Sequence, residues 1–359
     1  MKRYFCTYFD YNYLVYGLTL FRSLQNTHDD FSLFVLCLDD KTYQALLNLD
    51  QKVVPLALQN LEQFDPELQQ CQENRSRIEY YFTISPCLPR YIFMLQPEID
   101  LLVYLDADLY FFSSTESIFN ELGDKSILIT AHNFYKNADY ELAMYGKFNV
   151  AFQIYRNNDV GRQCLEWWRE KCLEWCYDRA ENGKFADQKY LEQWPLLWGE
   201  QVLVSQNPGV NLAPWNIMHY ADKILLDSNA PLIGANPIVF VHYQGLKVLS
   251  ENTLKWNFHE NVTVPRPIWK FLYEKYFNEA MRTRLAYKAL FSQKINYDDN
   301  RKKNLPETGR VEKILQLFPE KWECRRRSRT IYVFLRNLFF RLVGYQQDKI
   351  YRVHFQAFK

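Results

Sequence analysis

The chain has 359 residues, 48% of them hydrophobic and 24% charged, an ordinary globular composition that excludes a fibrous or disordered polymer. Its net charge of +1 is unevenly spread: ten Lys/Arg against two Asp/Glu between Lys321 and Lys359 make the tail +8, leaving residues 1–320 at −7. A mildly acidic body argues against nucleic acid as a partner, and no stretch reaches the roughly 18 uninterrupted apolar residues of a membrane span.

The opening MKRYFCTYFDYNY carries two basic residues, but Asp10 and Asn12 interrupt the apolar run that a signal peptide requires. A cytoplasmic protein is therefore expected, with its eight cysteines as reduced thiols. RYFCTYF reads as a first strand and LVYGLTLFRSLQN as the helix after it. FSLFVLCL is a second strand, leading into DDKTYQALLNL, where an aspartate is placed to cap a helix. KVVPLAL is a third strand, residues 61–97 a mixed helical region, and LLVYL a fourth strand. SSTESIFNEL reads as a capped helix, SILITAH and FNVAFQIYR as strands, and NNDVGRQCLEWWREKCLEWCYDRAEN as one long helix. Cys164, Cys172 and Cys176 fall in that segment with no partnering His/Cys set, which argues against zinc. IVFVHYQ is the last convincing strand. Strands alternating with helices imply an α/β fold with a mainly parallel central sheet flanked by helices. Residues 1–265 are expected to form the catalytic domain and residues 266–359 a helical, basic C-terminal extension.

LLVYLDADLYFF sets two carboxylates, Asp106 and Asp108, at the end of a strongly apolar strand. An isolated buried carboxylate is costly, and two of them repel. In an open α/β sheet, ligands bind beyond the carboxyl ends of the strands. Two hard oxygen donors there suit Mg²⁺ or Mn²⁺, which can grip a diphosphate and assist its departure. The competing reading is a solvated turn. A haloacid-dehalogenase-like phosphatase also opens on a strand ending Asp-x-Asp, but it normally continues with Thr or Val where this chain has Leu109–Tyr110, and no later acidic cluster follows.

Several segments in order, CTYFDYNYLVYGLTLFRSL, YLDADLYFF, KFNVAFQIYRN, CLEWWREKCLEWCYDRAENGKFADQKYLEQWP, NLAPWN and VHYQGLK, make residues 1–250 resemble the GT-A nucleotide-sugar glycosyltransferases. The resemblance is to family-8-like bacterial proteins of surface-polysaccharide clusters. It implies a metal-dependent, hexosyltransferase-like enzyme that moves a sugar from a nucleotide diphosphate-sugar to a carbohydrate or lipid-linked acceptor, leaning towards retention. By that resemblance Thr7, Tyr8 and Asp10 meet the nucleotide, and Asp106, Asp108 and His242 hold the metal. Gly245 and Lys247 serve the diphosphate, and Asp106 contributes to nucleotide binding through the metal. Asn149, Trp215 and Asn216 are expected near the sugars, and Asp187 and Gln188 in a catalytic role. The bland alternatives are helix caps for Asp10 and Asp187 and a loop anchor for Trp215. The family's basic residue before the acid pair has no counterpart in YYFTISPCLP, where Arg75 or Arg77 would have to substitute. Val150–Ala151 replace a Ser-Gly pair beside Asn149, and a non-catalytic GT-A binding protein is a further alternative. The tail KWECRRRSRTIYVFLRNLFFRLVGY either packs as an ordinary helix or lies on the inner membrane face near a lipid-linked acceptor.

Overall fold

The computed structural model describes residues 2–136, 138–226, 230–250, 253–256, 264–291 and 349–352. Strand β1 (Arg3–Phe9) pairs in parallel with β2 (Phe31–Cys37), and β2 with β3 (Val53–Ala57). Helices α1 (Leu14–Thr27) and α2 (Asp40–Leu46) form the crossovers. Asp39 caps α2 by accepting from the Thr42 N–H, as the sequence predicts. Four short helices follow: α3 (Leu58–Phe64), α4 (Pro66–Gln70), α5 (Arg77–Ile84) and α6 (Cys87–Leu95). Ser76 and Glu79 close a capping box on α5.

The chain then returns to lay β4 (Leu101–Leu105) in parallel along the other side of β1. After β5 (Leu109–Phe111), α7 (Glu116–Leu122) leads to β6 (Ile127–Ala131), and α8 (Asp139–Tyr145) to β7 (Phe148–Arg156). The strand β7 runs antiparallel to both β4 and β6. Helix α9 (Asp159–Glu174), the short α10 (Trp194–Trp198) and β8 (Val202–Val204) complete a seven-stranded sheet of order β3-β2-β1-β4-β7-β6-β8. Every pairing outside those of β7 is parallel.

Alternation along the central strands feeds two apolar layers. Phe5, Val103 and Leu105 join α1, α2 and α7 on one face, while Cys6, Leu102 and Tyr104 join α5, α6 and α9 on the other. Both faces are covered, so these strands are apolar throughout rather than half polar. The seven described cysteines are all buried free thiols.

A third apolar cluster lies past the sheet. It joins Val15 and Tyr16 of α1 to α11 (Ile217–Tyr220), β12 (Phe240–His242), α12 (Arg266–Trp269) and α13 (Lys275–Ala286). Between α11 and β12, the strands β9 (Ile224–Leu225), β10 (Leu232–Ile233) and β11 (Asn236–Pro237) form a small antiparallel sheet. Tyr243 stacks on Tyr276 of α13 with centroids 3.8 Å apart. Two strands follow where the sequence reading has none, β13 (Lys247–Ser250) and β14 (Thr253–Trp256). They form a separate sheet with β15 (Lys349–Arg352). The basic tail otherwise lies outside the described residues. No helix among the described residues is long and apolar enough to cross a membrane.

Two local expectations need correction. The long helix predicted over 157–182 ends at Glu174, because Trp175 turns extended (φ −157°, ψ 120°) and Arg75 takes the Leu173 carbonyl of the last turn. The helix of SSTESIFNEL, expected to be capped, has no side-chain cap: Thr115 stands at the N-cap of α7, and its hydroxyl sits 2.9 Å from His28 Nε2 instead.

Candidate active site

The strand order reverses direction between β1 and β4, since the chain builds outward through β2 and β3 before returning beside β1. The crevice beyond the carboxyl ends of those two strands is where a ligand binds in such a sheet. Asp106 follows directly on β4, and its N–H donates to the Ala151 carbonyl of β7 at 2.9 Å.

His242 reaches the same place through the two-stranded antiparallel sheet of β5 and β12. Its register sets His242 opposite Leu109. Two backbone bonds bracket the histidine: its N–H donates to the Leu212 carbonyl at 2.8 Å, and the Tyr243 N–H donates to the Asp108 carbonyl at 3.0 Å. His242 Nε2 then lies 3.2 Å from Asp108 Oδ1 and 3.8 Å from Asp106 Oδ2. One donor atom from each of the three residues lies within 4.8 Å of the others. The set fits a divalent cation: two hard oxygens and an imidazole nitrogen converge, with the Asp106 side chain still 33% exposed. Burial, with the charge of Asp108 added, pushes the Asp106 carboxyl up to about 6 against the lowering effect of His242 and a Tyr104 hydrogen bond. Burial works to lower His242, but Asp108 and Asp106 outweigh it and hold the imidazole above its ordinary range. A cation held there would take over that attraction and use the neutral imidazole nitrogen as a ligand.

Asn149, near the start of β7, comes together with Gln188. Asn149 Nδ2 donates to Gln188 Oε1 at 3.1 Å, and Gln188 Nε2 donates to the Tyr145 carbonyl at 2.9 Å. Asn149 Nδ2 also lies 3.4 Å from Nε2 of His132, a buried imidazole whose desolvation pushes it down to about 3. Sequence reading missed His132 because it appears there only as the last residue of a strand.

Trp215 is 8% exposed. Its Nε1 donates to the His132 carbonyl at 2.8 Å, and its ring meets His242 edge-on with centroids 5.3 Å apart. This is the anchoring alternative rather than an open platform. Asn216 is likewise committed: its Oδ1 accepts from the Ala213 N–H, and its Nδ2 donates to the His132 and Asn211 carbonyls.

Asp187 does not cap the helical turn that follows it, for which Gln188 stands at the N-cap without a side-chain bond. Its carbonyl accepts from Trp168 Nε1, and its buried carboxyl faces Ser85. Burial pushes that carboxyl up to about 7, with Ser85 opposing and Asp106 adding to the rise. Tyr8 of β1 points to the same place, its hydroxyl 3.1 Å from Ser85 Oγ. Thr7 is fully buried, its hydroxyl without a hydrogen-bond partner among the described residues. Asp10 is the helix cap foreseen as its alternative, accepting from the Asn12 and Tyr13 N–H groups. Of the two arginines considered for the missing basic residue, Arg75 is tied to Tyr177 and the Leu173 carbonyl. Arg77 stands at the crevice, 3.8 Å from Asp10 Oδ2. Gly245 turns through the left-handed region (φ +77°), leading Lys247 onto β13.

No protein-family model matches the chain. The uncharacterized Bacillus subtilis (strain 168) protein YfnF is 29% identical over 306 residues, which is 83% of this chain and 99% of YfnF. The uncharacterized protein YfnD of the same strain is 30% identical over 239 residues, 65% of this chain and 75% of YfnD. Among solved structures, the galactosyltransferase LgtC, crystallised with donor and acceptor sugar analogues, superposes with a TM-score of 0.50 at 17% identity. The match covers 82% of this chain and 98% of that one. The likeness shows the fold: a central, mostly parallel sheet between helices in the GT-A arrangement.

Proposed function

The chain belongs to the family of Bacillus subtilis YfnD and has the GT-A fold, and from that premise we propose that it is a metal-dependent glycosyltransferase. It moves a sugar from a nucleotide diphosphate-sugar to a carbohydrate or lipid-linked acceptor, with surface-polysaccharide assembly as the expected setting. The observation that carries this reading is the convergence of Asp106, Asp108 and His242 at the sheet's switch point. A divalent ion, Mn²⁺ or Mg²⁺, held by those three residues would offset the diphosphate's charge and help the nucleotide leave.

The chain's own residues do the rest. Tyr8 and Arg77 stand where β1 ends, in reach of a nucleotide laid across the crevice. The turn at Gly245 lets backbone approach the diphosphate, and Lys247 brings positive charge to the leaving phosphate. The paired amides of Asn149 and Gln188 offer donors and acceptors to sugar hydroxyls from a partly buried position that their mutual bond holds in place. Retention of anomeric configuration is the expected outcome. The phosphatase alternative finds no support in the fold likeness. A non-catalytic binding protein would bind the same ligands without turnover.

Thermal stabilisation by a panel of nucleotide diphosphates and nucleotide sugars, with and without Mn²⁺, tests the proposal. Mn²⁺-dependent stabilisation by one nucleotide, lost in Asp108→Ala and accompanied by release of the nucleoside diphosphate from its sugar, is the expected result. No shift with any member, alongside hydrolysis of a phosphomonoester, overturns it in favour of the phosphatase.

A further inference from the structure

We propose that Tyr104 is a positioning residue for the metal site: its buried hydroxyl holds Asp106 Oδ1 and leaves Oδ2 for the cation. The inference rests on the metal reading of Asp106, Asp108 and His242.

Tyr104 is 1% exposed and lies on β4, two residues before Asp106. Its hydroxyl donates to Asp106 Oδ1 at 3.2 Å, while Oδ2 of the same carboxylate is the oxygen turned towards His242. A carboxylate can rotate about its last bond, so an ion binding there must also pay for stopping that rotation. A phenol fixed in the core removes the freedom beforehand.

What fixes the phenol is visible behind it. The Tyr8 and Tyr104 rings pack with centroids 6.1 Å apart, and the Tyr8 hydroxyl is itself held 3.1 Å from Ser85 Oγ. Tyr104 therefore sits between the strand that carries it and a ring that is anchored in its turn, and its hydroxyl stays on Asp106 Oδ1.

The test is the Mn²⁺ dissociation constant of the full chain without nucleotide, read from the electron paramagnetic resonance signal of free Mn²⁺. Tyr104→Phe removes one oxygen and keeps the ring, and it is expected to raise the constant about tenfold. Ser85→Ala, which removes the Tyr8 contact but leaves the Tyr104 bond in place, keeps it within about twofold of wild type. An unchanged constant in a folded Tyr104→Phe protein overturns the proposal. So does a Ser85→Ala protein as impaired as Tyr104→Phe. Failure of the wild-type chain to take up Mn²⁺ overturns the metal reading itself, whereas normal uptake with an indifferent Tyr104 overturns only this inference.

Discussion

His242 Nε2 stands 3.2 Å from Asp108 Oδ1, and the neighbouring Tyr243 N–H donates to the carbonyl of the same aspartate. The imidazole is thus held against the acid pair by main chain as well as by charge. The approach belongs to the β5–β12 register and does not depend on a mobile side chain.

Replacing His242 should therefore separate metal binding from folding. His242→Gln keeps a polar side chain of similar reach but removes the imidazole nitrogen that a cation between the two carboxylates would take as ligand. Calorimetric titration should show Mn²⁺ affinity reduced by at least about tenfold. The far-ultraviolet circular dichroism should match wild type.

Gln188→Ala addresses the sugar end of the site. It removes the acceptor of the Asn149 amide and the donor to the Tyr145 carbonyl. With a donor and acceptor pair in hand, kcat should fall about tenfold to a hundredfold while affinity for the free nucleotide diphosphate is unchanged. Equal loss of both would place Gln188 outside the sugar subsite.

Acid should weaken the fold through His28. Its Nε2 accepts from the Thr115 N–H at 3.2 Å, so the buried ring is neutral, and desolvation pushes it down to about 4. In the unfolded chain the same ring takes a proton near pH 6.5. The unfolded state therefore binds more protons below that value, and stability present above pH 6.5 is lost as pH falls towards 4. The gap corresponds to about 3 kcal/mol at most. Urea unfolding at pH 7 and pH 4.5 should show that decline, and His28→Gln should flatten it.

Asp65 tests the body of the molecule, away from the crevice. Its buried carboxylate caps α4 and accepts two bonds from Arg169 of α9, with Arg90 nearby. Burial raises its pKa, but the bonds from Arg169 and its neighbours outweigh that and hold the carboxyl below the usual range. Arg169→Met leaves the charge buried without its main partner, which costs about 3–5 kcal/mol. Denaturant unfolding should show a midpoint lowered accordingly, and the double variant Asp65→Asn/Arg169→Met should recover part of the loss.

The sheet was legible because its strands carry their own signal. RYFCTYF, FSLFVLCL and LLVYL are apolar on both alternating faces, and a strand must be so when helices cover it on each side. The acid pair was legible for the complementary reason: two charges at the end of such a strand have no core to enter. Asp39 could be read as a cap because capping is a contact with the next three residues. The end of α9 could not, since it depends on Arg75 arriving from far away to take a carbonyl. SSTESIFNEL read as a capped helix, but the residue at its N-cap, Thr115, turns its hydroxyl to His28.

The sequence by itself thus determined the α/β architecture, the two carboxylates and the residues able to join them, because those follow from local periodicity and local chemistry. Tertiary structure alone decided which groups meet. The β5–β12 register brought His242 to Asp108, packing buried Trp215 against that histidine, and the β1–β4 pairing set Tyr8 beside Tyr104. Environment, and not identity, separates the roles of Asp106 and Asp187. A carboxyl's charge depends on the water and the partners around it, and those are fixed only when distant segments close over it.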